Sequence, residues 1–187
     1  MSEPKTKKLR VSYLGPDGSY SSLAAKELVP AGQGIPCGSF YAAAEMLAEG
    51  AADCAVLPVE NTLQGAVTQN LDLLYASDDL FAVREYLLKI EHRLIAKEGT
   101  KLSDIRRVFS HEQAILQCGK FIAQNLPNAQ IIYTDSTMQS VSRISEAGDA
   151  GIVGSHVRAE GLSFLGGNIA DEPKNLNHFM LVKKGRE

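Results

Sequence analysis

The chain has 187 residues, 44% of them apolar and 22% charged, and a formal net charge of −3. That length fits one domain or two small lobes with a sizeable core. The slight acidity excludes bulk attraction to nucleic acid or to an acidic membrane surface, and no stretch approaches the roughly 18–20 apolar residues of a membrane span.

Lys5, Lys7, Lys8 and Arg10 belong to a polar N-terminal tail, read as flexible and solvated over residues 1–8. No signal-peptide pattern follows it. Cys37, Cys54 and Cys118 are scattered and odd in number, which points to a reducing cytoplasm without a disulfide framework. Cys54 and Cys118 sit among apolar residues and read as small core residues. No C-x-x-C or H-x-x-x-H spacing supports a metal site, and no cofactor is implied.

"RVSYL" (10–14) predicts a strand, and "SYSSLAAKELV" (19–29) a helix with Leu23, Ala24 and Leu28 on one face. "SFYAAAEMLAEG" (39–50) predicts a helix started by Ser39 and stopped by Gly50. "DCAVLPV" (53–59) is a strand signal. "NTLQGAVTQNLDLLYAS" (61–77) predicts a long helix, with Leu63, Val67, Leu71 and Leu74 spaced by 4, 4 and 3. "LFAVREYLLKIEHRLIAK" (80–97) is β-rich and reads as one or two extended strands crossing to a second lobe. The alternation then resumes: strand 107–110, helix 111–125, strand 131–135, helix 136–148, strand 150–154 and short helix 155–161. "SFLGGNIA" (163–170) and "HFMLVKK" (178–184) close the pattern as strands.

Strands alternating with helices imply parallel sheets covered by helices. The fold class expected is α/β: two α/β lobes with a ligand cleft between them. Lobe 1 would take residues 9–80 and 163–187, and lobe 2 residues 81–162.

The loops after the strands share one chemistry. "GPDGSYS" (15–21), "VENTLQG" (59–65), "SHEQ" (110–113), "DST" (135–137) and "GSH" (154–156) put Ser, Thr, Asn or Gly where strand turns into helix. Singly, each is an N-cap. Together, at the carboxyl edge of parallel strands, they point to a site for a small anion carrying carboxylates or phosphates. "GPDG" lacks the dinucleotide spacing, and no phosphate-loop motif occurs.

"PVENT" (58–62) is the sharpest motif: Pro58 should end or edge the strand, Glu60 and Asn61 project from its end, and Thr62 or Asn61 caps the next helix. An acid and an amide at such a mouth suit proton handling and ligand hydrogen bonding. Ser110 and His111 stand at another mouth. Gln117 follows about two turns into its helix, facing the cleft or a neighbouring subunit. Near the C-terminal end, "NLNHF" (175–179) sets two amides and an imidazole where the last strand begins.

Taken together, "YLGPDGSYSSLAA", "AVLPVENTLQGAV", "VFSHEQAILQC" and "TDSTMQSV" resemble, in order and spacing, the motifs of the prephenate dehydratase family over about residues 9–184. The resemblance implies two lobes of the type II periplasmic-binding-protein kind closing over prephenate, a small dianion. The activity implied is a carbon–oxygen lyase of phenylalanine biosynthesis: carbon dioxide and the C4 hydroxyl leave, giving phenylpyruvate. It implies catalytic Asn61, Ser110 and Gln117, substrate contacts from Ser19, Glu60, Thr62, Ser136, Thr137 and Phe179, and a homodimer or higher homo-oligomer. Many members carry a C-terminal regulatory domain, and none is expected after Glu187.

The family's Thr-Arg-Phe is here Asn177-His178-Phe179. An amide donates a hydrogen bond but cannot relay a proton as a hydroxyl does. Losing Arg removes a permanent charge and a two-pronged carboxylate clamp. His178 is a candidate acid or carboxylate partner. Two alternatives stay open: a prephenate decarboxylase that leaves the ring non-aromatic, and an inactive anion-binding module of the same fold.

Overall fold

The computed structural model describes residues 8–185. In chain order these form β1 (Arg10–Leu14), α1 (Tyr20–Leu28), β2 (Gln33–Cys37), α2 (Phe40–Ala48), β3 (Cys54–Asn61), β4 (Gly65–Ala66), α3 (Thr68–Ala76), β5 (Leu80–Lys89) and β6 (His92–Lys97). Then come β7 (Arg107–Ser110), α4 (Glu112–Leu116), α5 (Gly119–Asn125), β8 (Gln130–Tyr133), α6 (Thr137–Arg143), β9 (Asp149–Gly154), β10 (Leu162–Phe164) and β11 (Leu176–Lys184). The expected flexible tail lies almost wholly outside the described residues.

The chain divides into two units: the first runs to Leu88 and resumes at Leu176, the second is Lys89–Asn175. These divisions differ from the lobes drawn from sequence. β5 stays beside β11 in the first sheet. Leu162–Phe164 pairs antiparallel with Ile95–Lys97 in the second unit.

Unit 1 carries a sheet in the order β2-β1-β3-β11-β5, with β4 paired to β3. β1 runs parallel to β2 and β3, while β11 runs antiparallel to β3. β3 is buried at every residue except Glu60, as a near-continuous apolar run at the centre of a sheet should be. Pro58 therefore neither ends nor edges its strand. Its pairing with β1 stops at Val56, and its register with β11 shifts between His178 and Phe179, so the missing N–H falls at an irregularity. Ala43, Ala44 and Leu47 of α2 pack on Ala55, Leu57 and Val182 to close one core cluster. The polar edge strand β2 escaped the sequence reading because "QGIPC" shows no alternation and holds Gly and Pro.

Unit 2 carries a sheet in the order β10-β6-β9-β7-β8, with β7 parallel to β8 and β9, and β6 antiparallel to β9. Leu94, Val108, Ala150 and Ile152 of the sheet pack on Ala114, Ile115 and Cys118. Asp149 is buried at the start of β9. Burial alone would raise its pKa, but the Arg107 side chain (2.7 Å) and the N–H groups of Ser145 and Glu146 outweigh that and hold it below the usual carboxylate range. Burial pushes the thiols of Cys54 and Cys118 up to about 11 and about 12, so both stay protonated core residues.

Three expected helices change. Residues 61–66 are not helical: Asn61 is the last residue of β3, and Gly65 (φ 81°) turns the chain back so that Gly65–Ala66 pairs with Glu60–Asn61. The helix begins only at Thr68, which leaves Leu63 exposed. The segment 111–125 is two short helices, broken at Gln117 and Cys118. Residues 155–161 are turns and irregular chain, because Val157 N–H closes on the Gly154 carbonyl and Arg158 bonds the Ser155 carbonyl instead of continuing a helix. The closing strand read over 163–170 is cut to Leu162–Phe164, after which Leu165 and Ile169 donate to carbonyls of β6 without forming a ladder.

Candidate active site

In unit 1 the carboxyl end of β3 meets the start of β11, with Asn177 paired to Asn61 in register. Asn61 is buried. Its Oδ1 accepts from the backbone N–H of Leu63 (2.9 Å) and Gln64 (3.1 Å), so Asn61 caps a turn and not a helix. With Oδ1 committed, its Nδ2 donates to Asn177 Oδ1 in a short contact. The polarity of that contact fixes the second amide as well. Asn177 Nδ2 bonds to none of the described residues and stands as an available donor. Thr62 staples the same junction: its N–H donates to the Leu176 carbonyl (3.0 Å) and its Oγ1 accepts from Leu176 N–H (2.9 Å).

His178 is not brought to this amide pair. Neighbouring residues of a strand face opposite sides of the sheet. Asn177 reaches Asn61, whereas His178 Nε2 lies 2.9 Å from Glu85 Oε2 of β5. Glu60, the register partner of His178, is exposed. Phe179 is buried at 1% exposure and belongs to the core. Ser19 caps α1: its Oγ accepts from Ser22 N–H (3.2 Å) and donates to the Leu14 carbonyl (3.0 Å). Beside it, burial and the Asp17 carboxylate push Tyr13 up to about 12, so the phenol stays protonated and donates to Asp17.

In unit 2 the carboxyl ends of β7, β8 and β9 share one edge, where His92 of β6 pairs with Gly154. Ser110 is fully buried and its Oγ donates to the Ile152 carbonyl at 2.7 Å, which ties it into the sheet. Ser136 caps α6 by accepting from Gln139 N–H (3.1 Å), and Thr137 is the first residue of that helix. His111 caps α4 through Nδ1, 3.2 Å from Gln113 N–H. Gln117 sits at the α4–α5 break, and its Oε1 lies 2.7 Å from His92 Nε2. His92 and Glu85 were missed by sequence reasoning. His92 alternates with the buried Leu94 and Ala96, a period-2 signal that marks an inward polar residue.

Among the described residues no group of three or more His, Cys, Asp and Glu could hold a metal ion, and no helix is long and apolar enough to cross a membrane. The fold and these residues define a class: a mixed α/β protein whose strand ends carry amides and hydroxyls. A family profile described as prephenate dehydratase matches residues 11–187. The chain belongs to the prephenate dehydratase family.

Among its relatives, "Arogenate dehydratase 2" of Petunia hybrida is 36% identical over 183 residues, covering 95% of this chain and 45% of the relative. The "Bifunctional chorismate mutase/prephenate dehydratase" of Stutzerimonas stutzeri is 33% identical over 179 residues, covering 93% and 48%. The chain thus spans about half the length of the curated relatives it matches. A crystal structure of prephenate dehydratase in complex with L-Phe, from Arthrobacter aurescens, superposes with a TM-score of 0.84 at 31% identity. That match covers 96% of this chain and 61% of the other.

Proposed function

We propose that the chain is a prephenate dehydratase: it converts prephenate to phenylpyruvate, carbon dioxide and water in phenylalanine biosynthesis. The observation that carries this reading, beside family membership, is the Asn61–Asn177 amide relay, which leaves Asn177 Nδ2 as a donor with no partner among the described residues. As the ring carboxylate leaves as carbon dioxide, its bonding electrons aromatise the ring and expel the C4 oxygen as hydroxide. Negative charge builds on that oxygen, and a fixed N–H donor stabilises it without reorganising. Asn177 Nδ2 is the group placed for this. The amide keeps its protons, so the departing oxygen takes its proton from water. Within the second unit, Gln117 has an amide nitrogen that bonds to no described residue and offers a donor for a carboxylate-bearing ligand.

The same reading places the enzyme in the cytoplasm, where its free cysteines stay reduced, and assembles it as a homodimer. His178 is outside the chemistry in this account. Its replacement by alanine is expected to leave kcat within about threefold of wild type, the size of one lost exposed hydrogen bond. A drop of about 100-fold in a folded His178→Ala protein would restore it as the acid. The reading as a whole is tested by the products formed from prephenate at neutral pH. Phenylpyruvate supports it, whereas a decarboxylated but non-aromatic product would show the prephenate decarboxylase that Asn177, lacking a hydroxyl, would otherwise suit.

A further inference from the structure

The break between α4 and α5 is fixed by contacts from a distant loop. Gln117 closes α4 with its own N–H on the Gln113 carbonyl (3.0 Å), and its carbonyl accepts from Asp171 N–H (2.8 Å). The Asp171 carboxylate accepts from Lys120 N–H (3.1 Å) at the start of α5. The same 168–171 loop holds His92: Asn168 Oδ1 accepts from His92 N–H (3.0 Å) and from Ala170 N–H (3.1 Å), and Ile169 N–H donates to the His92 carbonyl (2.8 Å). One loop therefore locks the main chains of His92 and Gln117 together, and the side chains meet inside that frame at 2.7 Å.

We propose that His92 is a positioning residue for the reaction, acting through Gln117: its Nε2–H donates to Gln117 Oε1 and so turns the amide nitrogen outward as a donor to the substrate. The inference rests on the dehydratase reading for its kinetic consequence, but the hydrogen bond stands without it. An imidazole that is 3% exposed is costly to charge, and burial lowers its pKa despite the bond to Gln117. A neutral ring carries one N–H, and a carbonyl oxygen at Nε2 selects the tautomer that bears it there. A neutral donor fits the role: it orients the amide without placing a buried cation behind it.

The test compares His92→Leu with His92→Gln, whose amide nitrogen falls close to the place of Nε2. His92→Leu is expected to lower kcat about 10- to 100-fold through a misplaced Gln117. His92→Gln is expected to keep kcat within about threefold at equal thermal stability. In a Gln117→Leu background, His92→Leu is expected to cost nothing further in kcat. Equal losses in the Leu and Gln variants, or a full additional loss in that background, would overturn the proposal and leave His92 a packing residue. The tautomer is read separately, by nitrogen-15 spectra of the imidazole in the wild-type chain at about pH 6 to 8, near the ordinary titration range of histidine. A neutral ring protonated at Nε2 is expected even if prephenate is not turned over, a result that would count against the dehydratase reading alone. A ring protonated at Nδ1 only, or doubly protonated, would overturn the positioning role.

Discussion

Asn61→Asp lowers kcat on prephenate about 100- to 1,000-fold, the cost of removing one preorganised donor from a developing oxyanion. The substitution is chosen for what it keeps. A carboxylate at position 61 still offers the oxygen that accepts from Leu63 and Gln64 N–H, so the turn after β3 stays capped. What changes is the second atom, where an acceptor replaces Nδ2 and faces Asn177 Oδ1. Two acceptors cannot share that contact, so the Asn177 amide flips, gives its nitrogen to the new carboxylate and turns its oxygen toward the departing hydroxyl. The donor is lost and a repulsive group takes its place. Circular dichroism checks the fold and steady-state kinetics the loss. A folded Asn61→Asp protein with wild-type kcat would mean that the amide relay has no part in the reaction.

Asn177→Thr raises kcat, by about 10- to 100-fold, because a positioned group that can transfer a proton contributes at least that much over one that only donates a hydrogen bond. The geometry admits the change. A threonine Oγ1 at the start of β11 stands one bond nearer the main chain than the amide oxygen, which lengthens the present short contact with Asn61 Nδ2 toward an ordinary hydrogen bond, and its own proton is left for the departing oxygen. A β-branched residue also suits a strand. KM is expected to move little, since the hydroxyl and the amide both offer the substrate a hydrogen-bond donor. A fall in kcat for a stable Asn177→Thr protein would show that the amide makes a contact the hydroxyl cannot replace.

Much of this arrangement was legible in the sequence. β1, β7 and the caps at Ser19, Ser39 and Ser136 fall where alternation and capping chemistry place them. The family motifs also lead to the position of Asn61 at a strand end. What was not legible depends on neighbours distant in the chain. "NTLQGAV" carries helical spacing, but Gly65 and the pairing with β3 override it, so Asn61 caps a turn instead of a helix. The apolar rhythm of 111–125 is continuous, yet the contact from Asp171 to Gln117 breaks it in two. His178 looks like the heir of a catalytic position until Glu85, 93 residues earlier, is seen to face it. The pairing of Asn177 with Asn61 spans 116 residues, and no local pattern predicts it.

The most direct test is to incubate the purified wild-type chain and its Asn61→Asp variant with prephenate at neutral pH and identify the products by mass and ultraviolet absorbance. Neutral pH matters because prephenate aromatises unaided in acid. Phenylpyruvate is expected from the wild type and only the spontaneous background from the variant. A non-aromatic decarboxylated product, no product above background, or equal phenylpyruvate from both proteins would contradict that expectation.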